Sequence, residues 1–173
     1  MISNSLKLAP LIAFSCAVAA CQVSNTGYQD ASSSNAASVF TPLDTAKDTG
    51  PDAGSECKLD LFSGHQAAAE MVAKHGIGAA FEGWAFIKGQ PALHAATLAF
   101  RGDAGSFGVP LRVGIARPDV ASAFGDENLS NAGFAVTADI SKLPAGVYAA
   151  EIRTDVPDNL VVCDLHARIR VVN

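Results

Sequence analysis

Four cysteines, four histidines and a scatter of carboxylates are the side chains that could carry chemistry in this chain of 173 residues. Zinc needs ligands at short, fixed spacing. His65, His75, His94 and His166 include no His-x-x-x-His pair, and Cys16, Cys21, Cys57 and Cys163 include no Cys-x-x-Cys pair. Asp44, Asp48 and Asp52 recur at a spacing of four, as on a helix face or in a calcium loop. Gly50 and Pro51 break such a helix and the spacing is not that of an EF-hand, which leaves a solvated linker. Ala104-Gly105-Ser106-Phe107-Gly108 lacks the first glycine of a nucleophile elbow. Gly76-Ile77-Gly78-Ala79-Ala80-Phe81 starts like a dinucleotide loop but neither ends in glycine nor opens a crossover helix. No pair of carboxylates is marked out for hydrolysis. The expectation is a protein that is not an enzyme and has no metal and no cofactor.

Two further groups suit ligand contact. Trp84, the single tryptophan, could stack on a sugar ring, although its place inside a strand of an alanine-rich domain favours packing. Arg117-Pro118-Asp119-Val120 could present a charged pair from a loop. Pro118 also suits the first turn of a short helix through Val120–Phe124, where Asp119 complements the helix dipole, and the structural role is favoured.

The elements that must position these residues are strands. From Cys57 onward, short apolar stretches alternate with Gly, Pro, Asp and Asn about every ten residues. In Gly133–Ile140, Phe134, Val136, Ala138 and Ile140 share one face. Lys142-Leu143-Pro144-Ala145-Gly146 then turns the chain into Tyr148, Ala150 and Ile152, which reads as a hairpin. In the last strand Val161, Cys163, Leu165, Ala167, Ile169 and Val171 face inward, and Cys57 is in phase with Leu59 and Leu61 in the first. Further strands are expected near Phe81–Ile87, Ala96–Arg101 and Val109–Ala116. His65–His75 reads as a strand or irregular crossing more than as a helix. The hydrophobic fraction of 49% supports a real core, whereas aromatic residues make up only 7%, so small and β-branched side chains should build it. A net charge of -5 offers no field for phosphates, which sets nucleic acid aside as a partner.

The N-terminus has a different character. Lys7 precedes the apolar run Leu8–Ala20, too short to span a bilayer as a helix and suited to an export signal. The junction Val18-Ala19-Ala20-Cys21 resembles the lipobox of bacterial lipoproteins, which implies cleavage before Cys21 and lipid on its sulfur. Gln22 in the next position, by resemblance to Gram-negative sorting rules, implies the outer membrane, facing either the periplasm or the cell surface. Cys16 leaves with the signal, and Cys57 and Cys163 then remain in an oxidising compartment and should form one disulfide. Closing a loop of more than 100 residues, that bridge would contribute about 4.7 kcal/mol in the chain-entropy picture. Residues 22–56 are rich in Ser, Thr, Ala, Asn, Gly and Asp, and read as a disordered tether between Cys21 and a domain at 57–173.

Gly83-Trp84-Ala85, Arg117-Pro118-Asp119-Val120, Gly133-Phe134 and Leu143-Pro144-Ala145-Gly146-Val147-Tyr148 occur in an order that resembles an immunoglobulin-like β-sandwich module of bacterial envelope and cell-surface proteins. The resemblance implies an all-β, two-sheet sandwich with a cysteine near each end, and an accessory role outside the cytoplasm. It carries no catalytic residue. The wide Cys57 to Cys163 spacing departs from the antibody pattern, in which a tryptophan lies between two closer cysteines. Together the readings describe a lipid-anchored module that binds or scaffolds an envelope protein or glycan. The alternative is a periplasmic inhibitor or immunity lipoprotein directed at a cell-wall hydrolase.

Overall fold

The alternating segments assemble into two facing sheets in the computed structural model, which describes residues 37–44, 54–76, 78–90, 92–156 and 159–173. One sheet contains β1 (Ser38–Val39), β3 (Ser55–Phe62), β4 (His65–Gln66), β6 (Gly78–Ile87), β9 (Arg112–Ile115) and β10 (Gly133–Asp139). β1 and β9 share one edge of β10, followed by β6, β3 and β4. The other contains β2 (Thr41–Pro42), β5 (Glu70–Lys74), β7 (Thr97–Gly102), β8 (Gly105–Pro110), β11 (Gly146–Val156) and β12 (Asn159–Val172), in the order β2-β8-β7-β11-β12-β5. With β9-β10-β6-β3 facing β8-β7-β11-β12, the strand order is that of an immunoglobulin-like Greek-key sandwich. A short helix α1 (Pro118–Phe124) and a 3-10 turn (Glu127–Asn131) join β9 to β10.

Cys57 and Cys163 form the expected disulfide, linking β3 of one sheet to β12 of the other. Inward alternation holds along β12, where Val161, Cys163, Leu165, Ala167, Ile169 and Val171 are all buried. It survives a bulge: Ala150 pairs with Ala167 and Glu151 with Asp164, so Leu165 and His166 are both extra. An insertion of two residues preserves the phase of the strand. In β3 the insertion is a single residue. Leu59 pairs with Gly83 and Leu61 with Glu82, which leaves Asp60 bulged and reverses the phase. Phe62, rather than Leu61, therefore packs inward against Phe81 at 5.2 Å between ring centroids.

Two other expectations change. The hairpin read at Gly133–Ile152 is instead a crossing, because β10 and β11 belong to different sheets. Ile140 and Leu143 are buried in the turn, and the Tyr148 hydroxyl donates to the Pro144 carbonyl at 2.8 Å, a tyrosine corner. Burial also raises the Tyr148 pKa. The single strand expected at Val109–Ala116 divides at Leu111 into β8 and β9 in opposite sheets. Leu111 is itself buried, and its N–H donates to the Ala96 carbonyl. Ser106 lies within β8. His65–His75 agrees with the expectation of strand or crossing over helix: it supplies β4 and β5, which lie in different sheets.

The domain also begins earlier than Cys57. Phe40 is buried and stacks on Phe100 at 4.7 Å, with β1 and β2 on either side pairing with one sheet each. A Cβ at Gly108 would stand 2.7 Å from the Leu43 side chain, which lies over the bare glycine where this segment crosses β8. Residues 37–44 are thus part of the fold and not of a tether. Cys21, Gln22, Asp48 and Asp52, with the signal segment, lie outside the described residues.

The bridge joins strands 106 residues apart in the sequence. Replacing both cysteines (Cys57→Ala with Cys163→Ala) is expected to lower unfolding free energy by about 4 to 5 kcal/mol in urea titrations. An unchanged midpoint would show that the bridge does not form.

Candidate functional site

The residues singled out as ligand contacts gather at one end of the first sheet, on its outer face. Trp84 pairs with Gly133 across β6 and β10, and with Lys58 across β6 and β3. Arg117, the residue before α1, lays its stem over Gly133: a Cβ at Gly133 would sit 2.9 Å from Arg117 Cγ and 2.7 Å from the Ile115 carbonyl oxygen. The Gly133-Phe134 block therefore has a steric cause. Glycine makes the floor on which the arginine lies.

The guanidinium is divided between two carboxylates. Nε and Nη2 of Arg117 donate to the two oxygens of Asp119 at 2.8 and 2.7 Å, while Nη1 donates to Asp60 at 2.7 Å. Lys58 adds a longer contact to Asp60 at 3.5 Å. The β3 bulge lies at Asp60, the residue whose carboxylate reaches Arg117, and Pro118 and Asp119 form the first turn of α1. The hydrogen bond from Arg117, assisted by its charge, holds the Asp119 carboxyl down to about 2, and the same pairing raises the Arg117 pKa. Two cations and two anions balance, with the arginine committed to a fork geometry that fastens α1 to β3. The role favoured from sequence, Pro118 and Asp119 in the first turn of a short helix, is seen in α1, whereas the Arg117 clamp to Asp60 was not foreseen.

Trp84 packs, but not between the sheets. It stacks on Phe86 at 5.7 Å and meets Phe124 edge-on at 5.5 Å, in a satellite cluster with Val120, Ala121, Leu129 and Ala132 beneath α1. Phe124 remains 47% exposed, and the Asp119 and Lys58 side chains are 65% and 63% exposed. The outward surface is thus one aromatic edge flanked by one anion and one cation.

The histidines stay apart. His65 stands in β4, the His75 ring hydrogen-bonds to the Leu143 carbonyl, His94 is exposed and His166 sits at the β12 bulge. Among the described residues no group of three or more His, Cys, Asp or Glu side chains could hold a metal ion. A feature missed from sequence lies at the opposite end of the first sheet. There a lateral cavity of about 440 Å³ opens between the sheets, with Phe62, Met71, Ala73, Ala79 and Ile140 in its walls. Facing alanines on β5 and β6 are the signal, legible only once their strands are known to face one another.

Because the folded Asp119 pKa lies below its ordinary value of 3.8, its stabilising effect is complete above about pH 4 and is lost as pH falls toward about 2. The Asp119→Asn variant is expected to show a shallower fall in urea midpoint across that window than the parent chain. Parallel slopes would separate Asp119 from the clamp. No family model matches this chain, and neither a curated protein nor a solved structure matches it.

Proposed function

We propose that this chain is a lipid-anchored envelope protein whose sandwich is a non-catalytic module that binds or scaffolds a protein or glycan partner. The reading rests on Val18-Ala19-Ala20-Cys21 closing the apolar run Leu8–Ala20, which suits cleavage and lipidation at Cys21 and, with Gln22, retention at the outer membrane facing periplasm or cell surface. An immunoglobulin-like sandwich with a disulfide between its first long strand and its last suits an oxidising compartment.

Because the fold extends back to residue 37, only residues 22–36 separate Cys21 from it. That is a shorter connection than the 22–56 tether read from sequence. Val39 pairs with Asp139, which also pairs with Gly78; Trp84 lies six residues further along β6. At about 3.4 Å per residue, Trp84 and the Phe124, Asp119 and Lys58 surface beside it lie roughly 20 Å along the sheet from the pairing of β1.

In membrane fractionation the full chain is expected in the outer-membrane fraction, with a diacylglyceryl thioether on Cys21 by mass spectrometry. Cys21→Ala should be released. A soluble, unmodified wild type, or a Cys21→Ala variant that stays bound, contradicts the anchor. Capture of envelope proteins or arrayed glycans by the full chain should fall on Phe124→Asp and survive Val147→Asp. Blank capture on both kinds of target contradicts the binding role.

A further inference from the structure

We propose that the lateral cavity between β4 and β5 is a binding site for a single-chain anionic amphiphile, of which a long-chain fatty acid is the simplest example. Its volume, about 440 Å³, falls in the range of roughly 300 to 1,000 Å³ usual for small-molecule sites. The walls come from both sheets. Phe62 and Ala79 belong to one and Met71 and Ala73 to the other, while Ile140 enters from the turn after β10. These side chains offer an apolar slot and no hydrogen-bonding atom. The polar side chains of the described lining, Ser63, His65, Gln66 and Lys74, are all exposed.

Charge sets the ligand's head group. The chain has a net charge of -5, yet none of the described lining residues is a carboxylate, and Lys74 supplies a cation on an exposed position of β5. An apolar slot with a cationic rim complements a hydrocarbon chain that ends in an anion, the chain replacing water along Phe62, Met71 and Ile140 while Lys74 meets the head. One slot of this size accepts one chain, so a two-chain phospholipid is the wrong shape. Shape also disfavours a sugar, which would leave its hydroxyls unpaired against Phe62, Met71 and Ile140. The site depends on the crossing of the chain from β4 to β5. At that crossing the sandwich edge is spanned only by short strands, and Ala73 and Ala79 carry too little volume to fill the gap behind them.

Dansylundecanoic acid serves as the probe, titrated into the full chain carrying Cys21→Ala, so that no acyl chain on that cysteine competes. Saturable binding of one probe per chain is expected, displaced by palmitate. Ala79→Leu, which fills the slot, and Lys74→Glu, which reverses the rim charge, are each expected to weaken palmitate by about tenfold or more. Lys74→Glu should leave the dissociation constant of hexadecanol, taken from displacement and corrected for the weaker binding of the anionic probe, unchanged, a split that a general loss of structure would not produce. Because Lys74 is exposed, that variant keeps the test decisive even where Ala79→Leu disturbs packing. No saturable binding by the parent chain, palmitate affinity in both variants equal to that of the parent, or association with phosphatidylglycerol vesicles in place of palmitate would each overturn the proposal.

Discussion

The fold depends on filling the space between two sheets whose inward faces are rich in alanine. Facing sheets stand about 10 Å apart, and Ala73, Ala79, Ala85, Ala96, Ala138, Ala150 and Ala167 reach only a small part of that distance. A connected set of rings supplies the missing volume. Phe62 packs on Phe81, Phe81 on Phe100, and Phe100 on both Phe40 and Tyr148, with Phe107 edge-on to the tyrosine. Phe40 comes from the N-terminal segment and Phe62 is turned inward by a bulge, so the filling recruits residues that simple alternation would leave out. Where the rings stop, between Ala73 and Ala79, the lateral cavity begins.

The same constraint orders the edges. Tyr148 reaches the core and ties its hydroxyl to Pro144, which lets the chain cross from β10 to β11 without leaving the turn loose. The disulfide acts at long range on the same two layers, joining β3 to β12. On the outer face the Arg117 fork holds α1 against β3 and shelters Phe86, leaving only the edge of the satellite cluster exposed. Core, corner and clamp are separate devices for fixing one pair of sheets, and the surfaces left free lie at opposite ends of the first.

Period-two alternation was legible where it does not depend on a partner strand. Along β12 every inward residue and Cys163 could be read, since the two-residue bulge at Leu165–His166 keeps the phase. Leu61 could not, because the insertion at Asp60 is visible only in the register against β6. The Arg117-Pro118-Asp119 turn was recognisable from proline position and helix electrostatics, but Asp60 was 57 residues distant. Residues 37–44 were hidden by their setting. Phe40 lies in a stretch of Ser, Thr, Ala and Pro that resembles linker, and a single ring among polar residues gives no periodicity. The cavity was illegible for the same reason as the bulge, since it depends on which alanines face each other.

Whether the interlayer space is completed by Phe40 is the most direct test of this account, and hydrogen exchange at residues 38–43 measures it. The Leu43 N–H donates to the Ser106 carbonyl at 2.9 Å, and Thr41 and Pro42 lie in register with Gly108 and Phe107. The account predicts slowed exchange across this segment in the native protein, with Leu43 protected along with the β7 and β8 amides. Exchange at the rate of an unstructured chain, while β7 and β8 remain protected, would contradict it.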